Sequence, residues 1–259
     1  MLSFSDADIA RWLGEFFWPF LRTLGLFASG PLFNSAAIPV RVKVALAFII
    51  ALLIAPTIRQ SAPLTLSWPT VVLTVEQLLV GLAIGFAMQL TLATMAFAGD
   101  FIGIQMGFGF AGLFDVQNRF QVPVMSDFFG LVGLILFVAL NGHLMLLGVL
   151  VRSFEVVPVA LNTGITAGGW NALARAGAVL FQMGVWLALP VIAVLLAANL
   201  ALAIVSRVTV QINVMSIGFS VFMWLGIAAI IAVLPFFVPA VEHAIEAGLA
   251  VSGAALRGR

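Results

Sequence analysis

The chain has no cysteine and no tyrosine, only two histidines, and few charges: 11 Lys and Arg with 10 Asp and Glu among 259 residues, or 8%. Without cysteine there is no disulfide framework, no thiolate metal site and no Cys nucleophile. Without tyrosine there is no phenolic proton donor. Two histidines and no cysteine make a poor metal set, and no metal or cofactor is expected. The shortage of charge is the most informative deficit. A soluble domain of this length carries about a quarter charged residues to hold its surface in water. Here 63% of residues are hydrophobic and the mean hydropathy is +1.23. Apolar surface must therefore face lipid, other subunits or both. The net charge of +1 is spread over scattered basic residues, which leaves no electrostatic footprint for nucleic acid. Ser-x-x-Lys, Gly-x-Ser-x-Gly, His-Glu-x-x-His and Walker-type sequences are all missing, so no enzyme activity is expected.

What is present is length in apolar runs, at residues 16–33, 44–58, 77–98, 128–151, 178–205 and 214–241. About 20 residues of helix cross the hydrocarbon. The last four runs reach that length. The first is interrupted by Pro19 and Arg22, and the second stops at Pro56. The expected fold is an all-α membrane protein of about six apolar helices in packed hairpins, with a buried Gly/Phe-rich loop. Only eight residues separate the last two runs, which predicts a tight antiparallel hairpin. Residues 1–15 hold Asp6, Asp8 and Glu15 with Arg11 as the only base. That is not the positive n-region of a cleaved signal, and the first helix is expected to be retained.

Polar groups at bilayer depth are costly and need a partner or a cavity. Glu76 opens the third run, followed by Gly81 and Gly85, a small-x-x-x-small pair that lets another backbone approach closely. Gly99 and Gly103 continue such a stripe if the segment is helical. Asn141 and His143 lie inside the fourth run and are expected to hydrogen-bond between helices. A rival reading makes the chain a small-molecule secondary transporter with His143 as a proton relay. Such a relay needs further ionisable groups along a path and transporters usually show internal repeats; neither is evident. Asn199, Arg207, Gln211 and Asn213 gather at the connection between the last two runs. This is either an Arg reaching a headgroup or a polar tip that touches other subunits or lines a pore.

The segment from Gly99 to Asp115 combines features that rarely coexist. Gly107, Gly109 and Gly112 come too densely for a stable helix. Met106, Phe108, Phe110, Leu113 and Phe114 are too apolar for a loop in water. Irregular backbone at membrane depth is tolerated only where protein buries it or where it lines a water-filled cavity. An oily, glycine-loosened loop in such a place can act as a gasket, with glycine giving mobility and Phe and Met sealing against water. A re-entrant loop with a packing role alone is the plainer alternative.

At these residues the chain resembles the FliR family of flagellar and type III secretion export-gate subunits. The stretches that carry the resemblance are Pro31-Leu-Phe-Asn-x3-Ile-Pro-x-Arg-Val-Lys43, Glu76-x4-Gly81-x3-Gly85 and Ala98-Gly99-Asp-Phe-Ile-Gly-x-Gln105. They continue through the Gly/Phe segment, Phe137-x3-Asn-Gly-His143-x14-Pro158 and Arg207-x3-Gln211-x-Asn213-x4-Gly218-Phe219, colinear from about residue 16 to about residue 239. Val116, Val210 and Ser220 stand where the family often has proline. The resemblance implies a non-enzymatic subunit, multi-pass in the bacterial inner membrane at the flagellar basal body. It implies partners too: FliP-like and FliQ-like membrane subunits, an FlhB-like protein, and unfolded proteins in transit. It further implies a single export-gate subunit made of a FliP-like part at about 1–177, a FliQ-like hairpin at about 178–241 and a polar tail at 242–259. Met106, Gly107, Phe108, Gly109, Phe110, Gly112, Leu113, Phe114 and Asp115 would then form a plug in the channel. Glu76, Gly81, Gly85, Gly99, Gly103, Gln105, Asn141, His143, Asn199, Arg207, Gln211 and Asn213 would serve helix packing and subunit contact.

Overall fold

The computed structural model describes residues 6–35, 37–58, 63–64, 67–108, 123–161, 163–208 and 214–258. Among them every regular element is a helix. In chain order these are α1 (Asp6–Ser29), α2 (Val40–Ile54), α3 (Trp68–Gln105), α4 (Val124–Ala139), α5 (Gly142–Val156), α6 (Ala167–Val208), α7 (Val214–Val233) and α8 (Phe237–Arg257), with 3-10 turns at Ala55–Thr57 and Leu234–Phe236. Four stretches are long and apolar enough to cross a membrane: Val40–Thr57, Trp68–Gln105, Ala167–Arg207 and Gly218–Arg257. The chain is thus an all-α membrane protein.

The breaks between helices have local causes. The fourth apolar run, read from sequence as one span, is split into α4 and α5, bent by 67°. Asn141 sits at φ 58°, ψ 25°, the left-handed region that a short polar side chain tolerates better than most. Its carbonyl then accepts the amides of Leu144 and Met145 at 2.9 and 3.1 Å and starts α5. The sixth run is also broken. Pro235 lies in the turn Leu234–Phe236, and a new helix restarts at Phe237.

Two helices extend further than the apolar pattern suggested. Gly168-Gly169-Trp170 reads as a turn, yet α6 already begins at Ala167. Thr166 precedes it, and its Oγ1 accepts the Gly169 amide at 3.3 Å, capping the exposed donors of the first turn. The two glycines are in contact with the end of α8: a Cβ on Gly168 would overlap the Gly258 carbonyl, and one on Gly169 the Ala255 carbonyl. The residues expected to form a polar tail are likewise helical as far as Arg257, with Ala255, Leu256 and Ser252 buried. Gly258, at φ 71°, ends α8 by donating its amide to Ala254 O at 3.0 Å, a left-handed helix stop that glycine adopts without strain.

The chain divides into two compact units, one of Met1–Thr91, Asn141–Gly177 and Ile245–Arg259, the other of Leu92–Leu140 and Ala178–Ala244. The first buries Trp18, Leu26 and Phe27 of α1, Val80 and Ile84 of α3, and Leu146 and Leu150 of α5. Ala83, Ala87, Leu173 and Ala255 form one apolar cluster there, joining α3, α6 and α8. The second unit buries Met95 and Ile102 of α3 and Met106 just after it, Phe129 and Phe137 of α4, Val191 and Leu195 of α6, and Phe237 and Val241 of α8. Phe129 and Phe237 stack with centroids 4.9 Å apart.

Candidate functional site

The Gly/Phe segment begins while α3 is still helical. Gly99 and Gly103 lie inside α3 and face α4: a Cβ on Gly99 would overlap the Met125 carbonyl, and one on Gly103 would come within 3.2 Å of the Met125 Cβ. Ser126 ties the same contact by donating to Ala96 O at 2.9 Å. Gln105 is the last residue of α3. Met106 follows with no exposed surface; its amide donates to Ile102 O at 2.9 Å. Its side chain packs where a Cβ on Gly226 of α7 would come within 2.7 Å of its Cε and Cγ. Met106, expected in the plug, is fully buried in the turn directly after the helix that carries buried Met95 and Ile102. Gly107 then turns the chain at φ 89°, a conformation that needs glycine. Phe108 is half-buried. Gly109, Phe110, Gly112, Leu113, Phe114 and Asp115 lie outside the described residues.

In the other unit, Gly81 and Gly85 of α3 face α1. A Cβ on Gly81 would overlap the Arg22 carbonyl and stand 2.9 Å from Leu26 N, while one on Gly85 would stand 2.6 Å from Leu26 O and 2.8 Å from Gly30 N. Gly25 of α1 answers with the same closeness to Leu78 and Leu82. Backbone meets backbone along this seam, and Ser29 Oγ crosses it to Leu82 O at 2.9 Å. Glu76, half-buried near the start of α3, lies beside Gly164, whose added Cβ would come within 3.4 Å of its side chain.

Above that seam sits a cluster that sequence reasoning treated only as an interruption. Arg22 is fully buried in α1. Its Nε donates to Gln77 Oε1 at 2.9 Å, and Nη2 donates to the same oxygen. Nη1 donates to Ser153 Oγ at 2.9 Å, and Nη2 also donates to Val157 O at 2.9 Å. The guanidinium carbon lies 3.9 Å from the Phe154 ring centroid. Ser153 Oγ in turn donates to Leu150 O at 2.6 Å. One cation therefore ties α1, α3 and α5 together, using four of its five N–H donors. The available signal was a lone arginine inside an apolar helix, which demands partners. Sequence alone does not say that the partners are Gln77 and Ser153, 55 and 131 residues away.

The remaining sequence candidates are more dispersed. Asn141 is exposed, and its side chain makes no capping bond. His143 is half-buried, and its Nδ1 has no hydrogen-bond partner among the described residues. The interhelical bonds expected of this pair are not found among the described residues. Asn199 is half-buried on α6, and Arg207 is exposed in its last turn. Gln211 and Asn213 lie outside the described residues.

Residues 13–248 match a family described as bacterial export proteins, family 1. The chain is 38% identical over 243 residues to the flagellar biosynthetic protein FliR of Pectobacterium carotovorum subsp. carotovorum, covering 94% of this chain and 93% of the relative. It is 36% identical over 243 residues to the flagellar biosynthetic protein FliR of Escherichia coli (strain K12), with the same coverage of 94% and 93%. The protein of that name from Bacillus subtilis (strain 168) is 30% identical over 202 residues, covering 77% of this chain and 78% of the relative.

Proposed function

This chain belongs to the family of bacterial export proteins, family 1, and from that premise we propose that it is a structural and gating subunit of the flagellar type III protein-export channel. The relatives matched along nearly its whole length are named as flagellar biosynthetic proteins. On this reading it lies multi-pass in the bacterial inner membrane at the basal body. It assembles there with FliP-like and FliQ-like subunits and an FlhB-like partner, and it borders the path of unfolded flagellar proteins. Its work is mechanical, with no bond made or broken.

The plug is the segment after Met106. A gate loop needs a fixed root, a pivot and an apolar tip that excludes water. Met106 supplies the root, locked in the core against Gly226. Gly107 supplies the pivot at φ 89°. Phe108, Phe110, Leu113 and Phe114 supply the tip, with Gly109 and Gly112 keeping it deformable. At rest the tip blocks ion leakage, and an entering substrate displaces it. The observation that carries this reading is the junction itself: a completely buried methionine followed at once by a glycine in the left-handed region, at the head of an oily glycine-rich stretch.

The rest of the surface supports assembly. Large apolar side chains remain exposed along α2, α6 and α7, including Leu53, Trp186, Ile204 and Trp224. Arg207, Gln211 and Asn213 provide a polar tip for subunit contact on this reading. Purification in mild detergent followed by mass spectrometry tests it. FliP-like and FliQ-like subunits are expected to co-elute in fixed ratio, and a stable lone chain would refute the assignment.

A further inference from the structure

In the unit built from Leu92–Leu140 and Ala178–Ala244, two helical paths are interrupted by proline at the same level. Pro190 stands inside α6, where it has no N–H to give to the Trp186 carbonyl and crowds the preceding turn. Pro235 stands in the turn Leu234–Phe236 that parts α7 from α8. The two breaks are neighbours in space, since Pro190, Val233 and Phe236 line one groove. Beyond them the two arms match in length: Pro190 to Val208 is about 27 Å of helix, and Val214 to Val233 about 29 Å. Only five residues separate their far ends, so the arms return on each other and move together.

This pair of arms is firmly seated at its base and lightly beyond it. Leu187, Ala188, Val191 and Leu195 of α6, Ile230 of α7 and Phe237 of α8 are at most 7% exposed. Among the described residues from 196 to 229, by contrast, no side chain is buried, and Leu200, Ile204 and Trp224 are exposed. The buried positions there are Gly218 and Gly226, which carry no side chain. A Cβ on Gly218 would meet Phe222 of its own helix, at 3.5 Å. A Cβ on Gly226 would meet Met106, at 2.7 Å from Cε and Cγ and 2.8 Å from Sδ. The seat that joins the outer part of the arms to α3 is therefore the one that holds the root of the plug.

Such an attachment opens easily. A segment that buries few side chains separates from its surroundings at low free-energy cost, and helices bend sharply where proline interrupts them. Pro235 to Gly226 is about 13 Å along α7, so a swing of about 10° at the two prolines moves Gly226 by about 2 Å. Directed away from Met106, that takes a close contact past the about 4.5 Å at which apolar groups still touch. Methionine is unbranched and follows or leaves such a seat by rotating its own bonds.

We propose that the arms, Val191–Val208 with Val214–Val233, are a lever hinged at Pro190 and Pro235, and that its seat at Gly226 is the latch of the plug. With the lever in, Met106 is held and the plug turns only about Gly107. With the lever out, Met106 is released and the root of the plug moves as well, which opens the path further than the Gly107 pivot allows. The exposed apolar faces of the lever are those that meet other subunits in the assembly proposed above, so displacement of a neighbour is passed to the plug. This inference rests on the plug reading and adds what holds the plug and what lets it go.

The chain has no cysteine, so two introduced thiols are its only ones. Met106→Cys/Gly226→Cys suits a disulfide: Met106 Cγ, where a cysteine sulfur would stand, is 2.7 Å from a Cβ on Gly226, close to the about 3 Å between a bridged sulfur and its partner's Cβ. The assay is export of an unfolded flagellar protein into everted membrane vesicles carrying the full complex, with complex level and ion tightness followed in parallel. After oxidation the double variant is expected to stay ion-tight. Its export should fall in step with the bridged fraction, to about a tenth when about nine chains in ten are bridged, and reductant should restore it in the same vesicles. Parent and both single variants, treated alike, should not change. Bridged complexes that export at the parent rate overturn the proposal, and so does an assembled double variant that forms no bridge. Pro190→Ala leaves the seat untouched and returns the missing N–H to the hinge; it is expected to assemble normally and to export several-fold less, and parent-like export from it overturns the hinge. Failure of the plug reading has a different signature, since a complex deleted in residues 107–114 would then stay ion-tight however the bridged one behaves.

Discussion

Gln77→Leu isolates the buried cation without touching the cation itself. Gln77 Oε1 accepts two of the four hydrogen bonds that hold the Arg22 guanidinium, and both residues are at most 1% exposed. Leucine has similar volume, so the main change is electrostatic. Hydrogen bonds to a charged group contribute about 1.5–3 kcal/mol each, and removing one side of a buried charged interaction costs about 3–5 kcal/mol because the charge stays buried. For a chain of this size, about 1 kcal/mol corresponds to about 2–4 °C in melting temperature, so Gln77→Leu should lower it by about 10 °C. The double change Arg22→Met/Gln77→Leu removes the charge as well and should recover more than half of that loss, since an apolar pair of similar size is tolerated where a lone charge is not. The assay is thermal unfolding of the detergent-purified chain, followed by intrinsic tryptophan fluorescence, for parent, each single variant and the double. A Gln77→Leu protein that melts within about 2 °C of the parent would refute the claim that this cation ties α1, α3 and α5 together.

The glycines give opposite expectations according to what an added Cβ would meet. Gly81→Ala should cost several kcal/mol and lower the yield of folded protein, because the new Cβ would overlap the Arg22 carbonyl, a backbone atom that cannot step aside. Gly148→Ala, with nothing within 4 Å of the added Cβ, should instead stabilise α5 by about 0.5–1 kcal/mol, as read in the same melt. Asn141→Gly should be neutral or mildly stabilising, whereas Asn141→Val should cost at least about 1 kcal/mol because φ 58° strains a β-branched residue. His143→Gln separates a relay from a packing residue: flagellar motility should be largely kept, and complete loss of coupled transport with normal protein levels would favour the transporter reading.

The class of the fold was legible because composition demands apolar helices, and three of the four spanning stretches follow from hydropathy; the second run, read as too short because it stops at Pro56, reaches spanning length as Val40–Thr57, while the fourth is broken at Asn141. Boundaries were less legible. Gly168-Gly169 has the look of a turn, yet Thr166 caps a helix there and the glycines serve a close backbone approach that depends on the end of α8. The bend at Asn141 is one left-handed residue inside an uninterrupted apolar run, so hydropathy passes over it. Within the candidate site, the glycine stripe and the oily loop were visible from spacing. The burial of Met106 was not, because it depends on Gly226, 120 residues further along. The Arg22 cluster was hidden for the same reason: one arginine announces a need for acceptors, and only the tertiary structure supplies them.

The plug is tested most directly by ion permeability of membranes carrying the assembled complex with residues 107–114 deleted, compared with the parent at equal complex levels. The account predicts that the complex still assembles, since the Met106 anchor is retained, and that the membrane becomes leaky to small ions. A deleted complex that assembles and stays as tight as the parent would contradict it.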